Sequence, residues 1–245
     1  SFRAKLGDTK AVNLRHTFKG NVWDTEAGLH GAKSKTWYRE LARGHFSNVG
    51  TTLQGVSVVR AENIEFPSLN WTVRDAAGNQ LDPYSLANYR LNTLQNSPVD
   101  GKAVMKGGYL NLRRALEVAR QPLNLKTGVA VRAELRDNRR YTEQWNFLGA
   151  DGIANTADDS AGPFLDTSYS KEDPLFGSKP IQWMNPYKLA ELYRSNPAYF
   201  RPTTSSITVE GASVTTEPGY PAELARITNS QRIQERISSA FIQLD

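Results

Sequence analysis

Oxygen-bearing side chains crowd one short stretch, GADGIANTADD at 149–159, where Asp151, Asn155, Asp158 and Asp159 surround a glycine turn. Carboxylate and amide oxygens on a loop able to wrap an ion suit calcium, a hard cation that accepts oxygen ligands in flexible geometry. The D-x-[DN]-x-[DN]-G order of an EF-hand is absent, and the same residues also describe a solvated polar turn. A structural calcium is one of these two expectations, and no other cofactor is expected.

Aromatic residues gather in IQWMNPYKLAELYRSNPAYF at 181–200. Asn185 reads as a helix N-cap, Pro186 as the first helical residue, and Leu189, Leu192 and Tyr193 share one side of the helix that follows. Trp183, Tyr187, Tyr199 and Phe200 could then stack on a sugar or an aromatic chelator, because rigid rings give contact area at little entropic cost. The competing reading is a small apolar core that packs the loop down.

Catalytic residues are not expected. The three histidines, His16, His30 and His45, lack the i, i+4 spacing and the acidic neighbour of a zinc site. Neither a G-x-S-x-G elbow nor a P-loop occurs. Carboxylates on loops could do paired hydrolase chemistry only if folding joined them, which sequence does not show. With no cysteine, disulfides and thiolate metal sites are excluded.

The elements that must carry these loops announce themselves in LNLKTGVAVRAELRDNRRYTEQWNF, residues 123–147. Leu123, Leu125, Thr127, Val129, Val131, Ala133 and Leu135 alternate with Asn124, Lys126, Gly128, Ala130, Arg132, Glu134 and Arg136. A period of two puts an oily row on one side of a strand and a charged row on the other. At about 3.3 Å per residue and a tilt near 40°, residues 123–135 cover roughly 30 Å, close to the apolar band of an outer-membrane barrel. Tyr141, Trp145 and Phe147 continue the oily parity, where an aromatic interface girdle is expected. A break of 123–147 into two strands on different sheets would overturn the barrel reading.

Composition permits this. The 245 residues are 39% apolar and 22% charged, and the mean hydropathy of −0.54 suits a soluble protein as well as a barrel whose lumen and loops are polar. No run approaches the ~18 to 20 apolar residues of a spanning helix. The opening SFRAKLGDTK has neither an initiating Met nor a signal-peptide pattern. A net charge of +5, not gathered into a basic run, makes nucleic acid an unexpected partner.

Five long strands are expected. Val12, Leu14, His16 and Phe18 alternate with polar residues up to a turn at Lys19-Gly20-Asn21, and the returning strand sets Trp23, Thr25, Ala27, Leu29 and Gly31 against Asp24, Glu26, Gly28 and His30. Residues 39–105 read as a long irregular loop with a short strand at GVSVV. GGYLNLRRALEVARQP reads as a strand and tight turn leading into the 123–147 strand, with a helix as the alternative. A second irregular stretch to about residue 226 precedes an extended RITNSQRIQERISSAFIQLD. Short and long connections thus alternate, as in a membrane barrel with its insertions on one rim. Structureless connections of this size are uncommon in soluble domains.

NVWDTEAGLHGAKSKTWYRE followed by GHFSNV, LKTGVAVRAELRDNRRYTEQWNFLGADG, KLAELYRSNPAYF and QERISSAFIQLD resemble, in that order, the TonB-dependent outer-membrane receptors. The resemblance covers nearly the whole chain. It implies that residues 1–245 are a fragment of a single receptor β-barrel domain: all-β, a partial antiparallel transmembrane β-barrel with up-and-down meander, whose long extracellular loops include one with a short helix. The complete barrel of the family has about 22 strands around a plug domain and imports a scarce nutrient with energy from the TonB complex. A siderophore, cobalamin or oligosaccharide is the implied ligand, outer-membrane lipid the implied surrounding, and the bacterial cell outer membrane the location. No stretch reads as a plug, a TonB-contacting segment or a barrel-closing strand, so the expected role is barrel wall and ligand-binding loops.

Two other classes fit the alternation. A secreted carbohydrate-binding or carbohydrate-active β-sandwich would turn the oily parity against a second sheet, and an extracellular structural β-protein would bind no small ligand.

Overall fold

The computed structural model describes residues 3–60, 71–118, 120–171 and 179–245. Residues 61–70 and 172–178 of the two expected loops, and Ala119 in the expected tight turn, lie outside the description. The chain is mostly β, in antiparallel sheets with two short α-helices, and divides into two units. Among the described residues no sheet closes into a barrel.

The first unit comprises Lys5–Tyr38, Val99–Arg140 and Arg226–Asp245. It holds β1 (Lys5–Lys19), β2 (Asp24–Tyr38), β8 (Val99–Val118), β9 (Gln121–Arg140) and β14 (Gln231–Leu244), in that order across one antiparallel sheet. These are the five expected strands, and GGYLNLRRALEV is strand rather than helix. Val118 faces Gln121 and Lys19 faces Asp24 at the end with short turns, whereas Tyr38, Val99 and Arg140 mark the end from which the long connections leave. Gly20 N–H donates to Trp23 O at 3.1 Å in one short turn, and Arg120 takes a left-handed φ of 64° in the other.

Residues directly opposite each other in an antiparallel pair share a face. Val12, Leu14, Phe18, Leu29, Leu110, Leu112, Val129, Val131 and Ile242 therefore lie on one side. Nearly all of this side is open: Val12 is 60% exposed, Leu29 64%, Val129 52% and Ile242 75%. The same side also carries His16 and Arg114, and Lys106 and Arg236 stand in the row of Val12; further toward the long connections it holds Asp8, Lys10, Lys33, Lys35, Lys102 and Asp137. The opposite side carries Arg15, Glu26, Tyr109, Arg132, Glu134 and Arg136. Arg132 and Arg136 both pair with Glu134, and Arg15 with Glu26 at 3.0 Å. On β14, Ile233, Ile237 and Phe241 join this polar side, so that strand does not divide its chemistry as β9 does.

The strand expected over 123–147 is interrupted. β9 ends at Arg140, and β10 (Glu143–Phe147) belongs to another sheet. Opposite the interruption stands Pro98, which has no N–H to donate to a ladder. The pairing count survives it, because Val99 faces Arg140, Asn96 faces Glu143, and Ser97 Oγ lies 3.2 Å from Thr142 Oγ1 between them. Trp145 and Phe147 are 7% and 3% exposed, inside a protein core. The expected girdle is corrected accordingly, and the split of 123–147 between two sheets is the outcome set against a barrel built on this stretch, whose long strand ends at Arg140.

The second unit, Ser1–Ala4, Arg39–Pro98 and Tyr141–Ala225, contains the stretches expected to be irregular. They fold. β3 (Asn48–Thr52), β7 (Arg90–Asn96), β10 and β11 (Phe200–Pro202) make a four-stranded antiparallel sheet in the order β11-β10-β7-β3. β4 (Ser57–Arg60), at the expected GVSVV, pairs with β5 (Trp71–Arg74), which pairs with β6 (Gln80–Leu81); β12 (Ser206–Val209) and β13 (Ala212–Thr215) form a hairpin. Helix α1 (Pro186–Ser195) starts as expected, Asn185 Oδ1 accepting from Tyr187 N–H at 3.0 Å and Lys188 N–H at 3.2 Å. Helix α2 (Tyr220–Thr228) occupies the beginning of what was expected to be extended chain. Phe46, Leu91 and Leu94 from the first insertion pack with Trp145, Phe147, Leu189, Ala190 and Phe200 from the second. Edge-on rings, such as Tyr193 and Phe200 at 5.1 Å and 88°, give this core its geometry.

Candidate functional site

The acidic loop is built by its own backbone. Asp151 Oδ1 accepts from Ile153 N–H at 2.8 Å, and Asp158 Oδ2 accepts from Ala150 N–H at 2.8 Å and Asp151 N–H at 3.2 Å. Thr156 and Asp159 form a reciprocal capping box around a short 3-10 turn at Ala157–Asp159, with Thr156 N–H donating to Asp159 Oδ2 at 3.0 Å. Asp159 is completely buried. Its Oδ1 and the Oδ1 of Asn155 are buried without a hydrogen-bond partner. The Thr156 hydroxyl, followed by backbone N–H groups, holds the Asp158 carboxyl below its usual range, whereas burial, with the Asp158 and Asp151 charges adding, pushes the Asp159 carboxyl up. All four residues singled out from sequence thus share one loop, though Asp151 turns its Oδ1 to the backbone.

The four aromatics do not form one platform. Phe200 is buried in the core, and Tyr199 is half-buried with its ring edge-on to Phe147 at 6.5 Å. Trp183 and Tyr187 are exposed, and the Tyr187 ring lies 5.1 Å from His45, an aromatic pair that sequence spacing could not anticipate. Leu189, Leu192 and Tyr193 pack inward from α1 as read from the sequence.

Sequence reasoning also missed a cleft of about 450 Å³ in the second unit, lined by Glu143, Gln144, Trp145, Pro202, Glu217 and Tyr220 among others. Its volume lies within the range of small-molecule sites, and it joins aromatic faces to carboxylate and amide groups, the combination that orients a polar ring. β10, β11 and the start of α2 supply its walls from separate parts of the chain, so no local motif marks it. On the apolar side of the five-stranded sheet an open groove of about 740 Å³ runs past Leu14, Leu29, Gly31, Gly108 and Val131, with Lys106 and Arg236 also in its lining.

Among the described residues no three or more His, Cys, Asp or Glu side chains converge as a metal-ligand group, and no helix is long and apolar enough to cross a membrane. No protein-family model, no curated protein and no solved structure matches the chain.

Proposed function

We propose that the five-stranded sheet is part of the transmembrane wall of a TonB-dependent outer-membrane receptor, and that the folded insertions capture its ligand. The observation that carries this reading is the apolar side of a sheet whose strands run 14 to 20 residues. Its large aliphatic residues are exposed to a degree that water does not favour, at about 25 cal/mol for each Å² left uncovered. A lipid bilayer covers such a surface without a second sheet, and about 9 to 11 tilted residues suffice to span it. From the row of Val12, where Lys106 and Arg236 enter, to the row of Asp8, Lys35, Lys102 and Asp137 the side becomes progressively charged, an edge suited to a headgroup region. Short turns at one end and insertions at the other supply the asymmetry of a receptor that meets its ligand on one rim.

The reading rests on β1, β2, β8, β9 and β14; Trp145 and Phe147 have no part in it. The ligand is a small molecule or oligosaccharide, received in the cleft beside Trp145 and Tyr220, with Trp183 and Tyr187 as exposed stacking faces. Import at the bacterial outer membrane would draw on the TonB complex, acting through a plug. No enzymatic step is assigned to the chain. Fractionation tests the wall: the intact protein should require detergent and run faster on a gel before heating than after. Full solubility without detergent, with gel mobility unchanged by heat, would overturn it.

A further inference from the structure

We propose that the loop at 149–160 is a calcium site, with Asp158, Asp159 and Asn155 as its side-chain ligands, and that the bound ion fastens the second insertion to the first.

Acidic composition alone would not carry this; the unanswered oxygens do. Asp159 is completely buried, its Oδ2 is used by Thr156 N–H, and its Oδ1 meets no donor. Asn155 Oδ1 is buried in the same condition. Buried polar atoms in native folds are almost always satisfied, and an uncompensated buried carboxylate is among the most costly groups a fold can hold. No Lys or Arg among the described residues pairs with Asp151, Asp158 or Asp159.

Glycine lets these oxygens converge. A β-carbon on Gly149 would lie 2.4 Å from Asp158 Oδ2 and 2.6 Å from Asp159 Oδ1, so the two carboxylates approach one stretch of backbone, and each other, as no other residue at 149 would allow. Gly149 also has φ 60°, which glycine adopts without strain. The side-chain donors are all oxygen, which disfavours zinc, and they include an amide, which calcium accepts more readily than the strictly octahedral magnesium. A mixed set of this kind need not contain three convergent carboxylates or imidazoles.

The loop ends where the two insertions meet. Ser160 forms a β-bridge with Arg90, and Ala161 N–H donates to Tyr89 O at 3.0 Å. Closing the loop around an ion holds Asp159, and with it this bridge, in place.

Calorimetric titration of calcium chloride into the EGTA-treated full chain tests the site. One equivalent should bind with a dissociation constant of about 10⁻⁴ to 10⁻³ M, as extracellular calcium modules do, and magnesium chloride should give far less heat. Calcium should also raise the melting temperature followed by Trp145 fluorescence. Asp159→Asn keeps the side-chain shape and removes the charge; it should weaken binding about tenfold or more while retaining the folded Trp145 emission in EGTA. If the wild type shows neither heat nor a calcium-dependent melting shift, or if Asp159→Asn binds as well as wild type, the proposal is overturned. Neither readout depends on whether the sheet lies in a membrane.

Discussion

Tyr109 lies across Gly28 on the polar side of the sheet, its hydroxyl donating to Glu26 Oε1 at 2.7 Å while Arg15 donates to the other oxygen of the same carboxylate. The ring occupies the space a side chain at Gly28 would need, since a β-carbon there would come within 2.3 Å of Tyr109 Cε1. His30 over Gly107 and Phe241 near Gly128 repeat the arrangement. Gly28→Ala should displace the ring and destabilise the sheet by about 1 to 3 kcal/mol, as overpacking does. Tyr109→Phe should be milder, because it keeps the ring and loses only one part-buried hydrogen bond. Urea unfolding of both variants ranks the two.

Val131 and Arg132 are consecutive residues on opposite faces. Val131 stands on the apolar side beside Gly108 and Ser238, and Arg132 reaches Glu134. Val131→Arg should cost about 2 to 4 kcal/mol near a bilayer midplane, whereas Arg132→Ala should change little. Membrane assembly assays on both variants give the answer; equal, harmless outcomes would remove lipid from the apolar side.

Asp159 and Asp158 give the acidic loop opposing pH dependences in calcium-free buffer. The Asp159 carboxyl is raised above its ordinary value of 3.8, so its contribution to stability is full below that value and is lost as pH rises through the folded-state pKa. Asp158, lowered from the same ordinary value of 3.8, contributes above it and loses that contribution as pH falls through the folded-state pKa. Asp159→Asn should therefore abolish the loss on the rising side and leave the acid-side loss intact. Thermal melts in EGTA from about pH 3 to pH 7 span both ordinary carboxylate values.

Asn185 closes the N-terminus of α1 with two accepted N–H bonds. Asn185→Ala should cost about 1 kcal/mol, loosening Leu189 in the core, while Phe200→Ala should cost about 3 to 5 kcal/mol. Urea unfolding followed by Trp145 emission separates a lost cap from a lost core residue. Trp183→Ala, at an exposed position, should leave that transition unchanged and serve as the control for ligand-binding losses.

The sheet was legible in the sequence because its information is local. Alternation at Val129 to Leu135 and the turn residues at Lys19-Gly20-Asn21 predict strand, face and hairpin from neighbours alone. The cap at Asn185 is local too. The insertion core was not legible, because Leu94 meets Trp145 and Phe46 meets Phe200 across long stretches of chain, in strands of three to seven residues with no repeating pattern. Parity also misled at Trp145 and Phe147: continuing the pairing count, they kept their strand character but turned toward packed neighbours instead of a girdle. Of the candidate site, the acidic residues were readable as a group, but the burial of one oxygen on Asp159 depends on its neighbours in three dimensions.

The unchanged pairing count between Val99–Arg140 and Asn96–Glu143 has a kinetic consequence. Once the hairpin of β8 and β9 has zipped from its turn near Arg120, β7 and β10 arrive opposite one another with almost no additional loop to close, and the entropy of bringing them together is already spent. The insertion core should accordingly form after the hairpin, on a nucleus located far from it in the sequence. A slip of one residue at that turn would travel the full length of the β8–β9 ladder and move Val129 and Val131 to the polar side together.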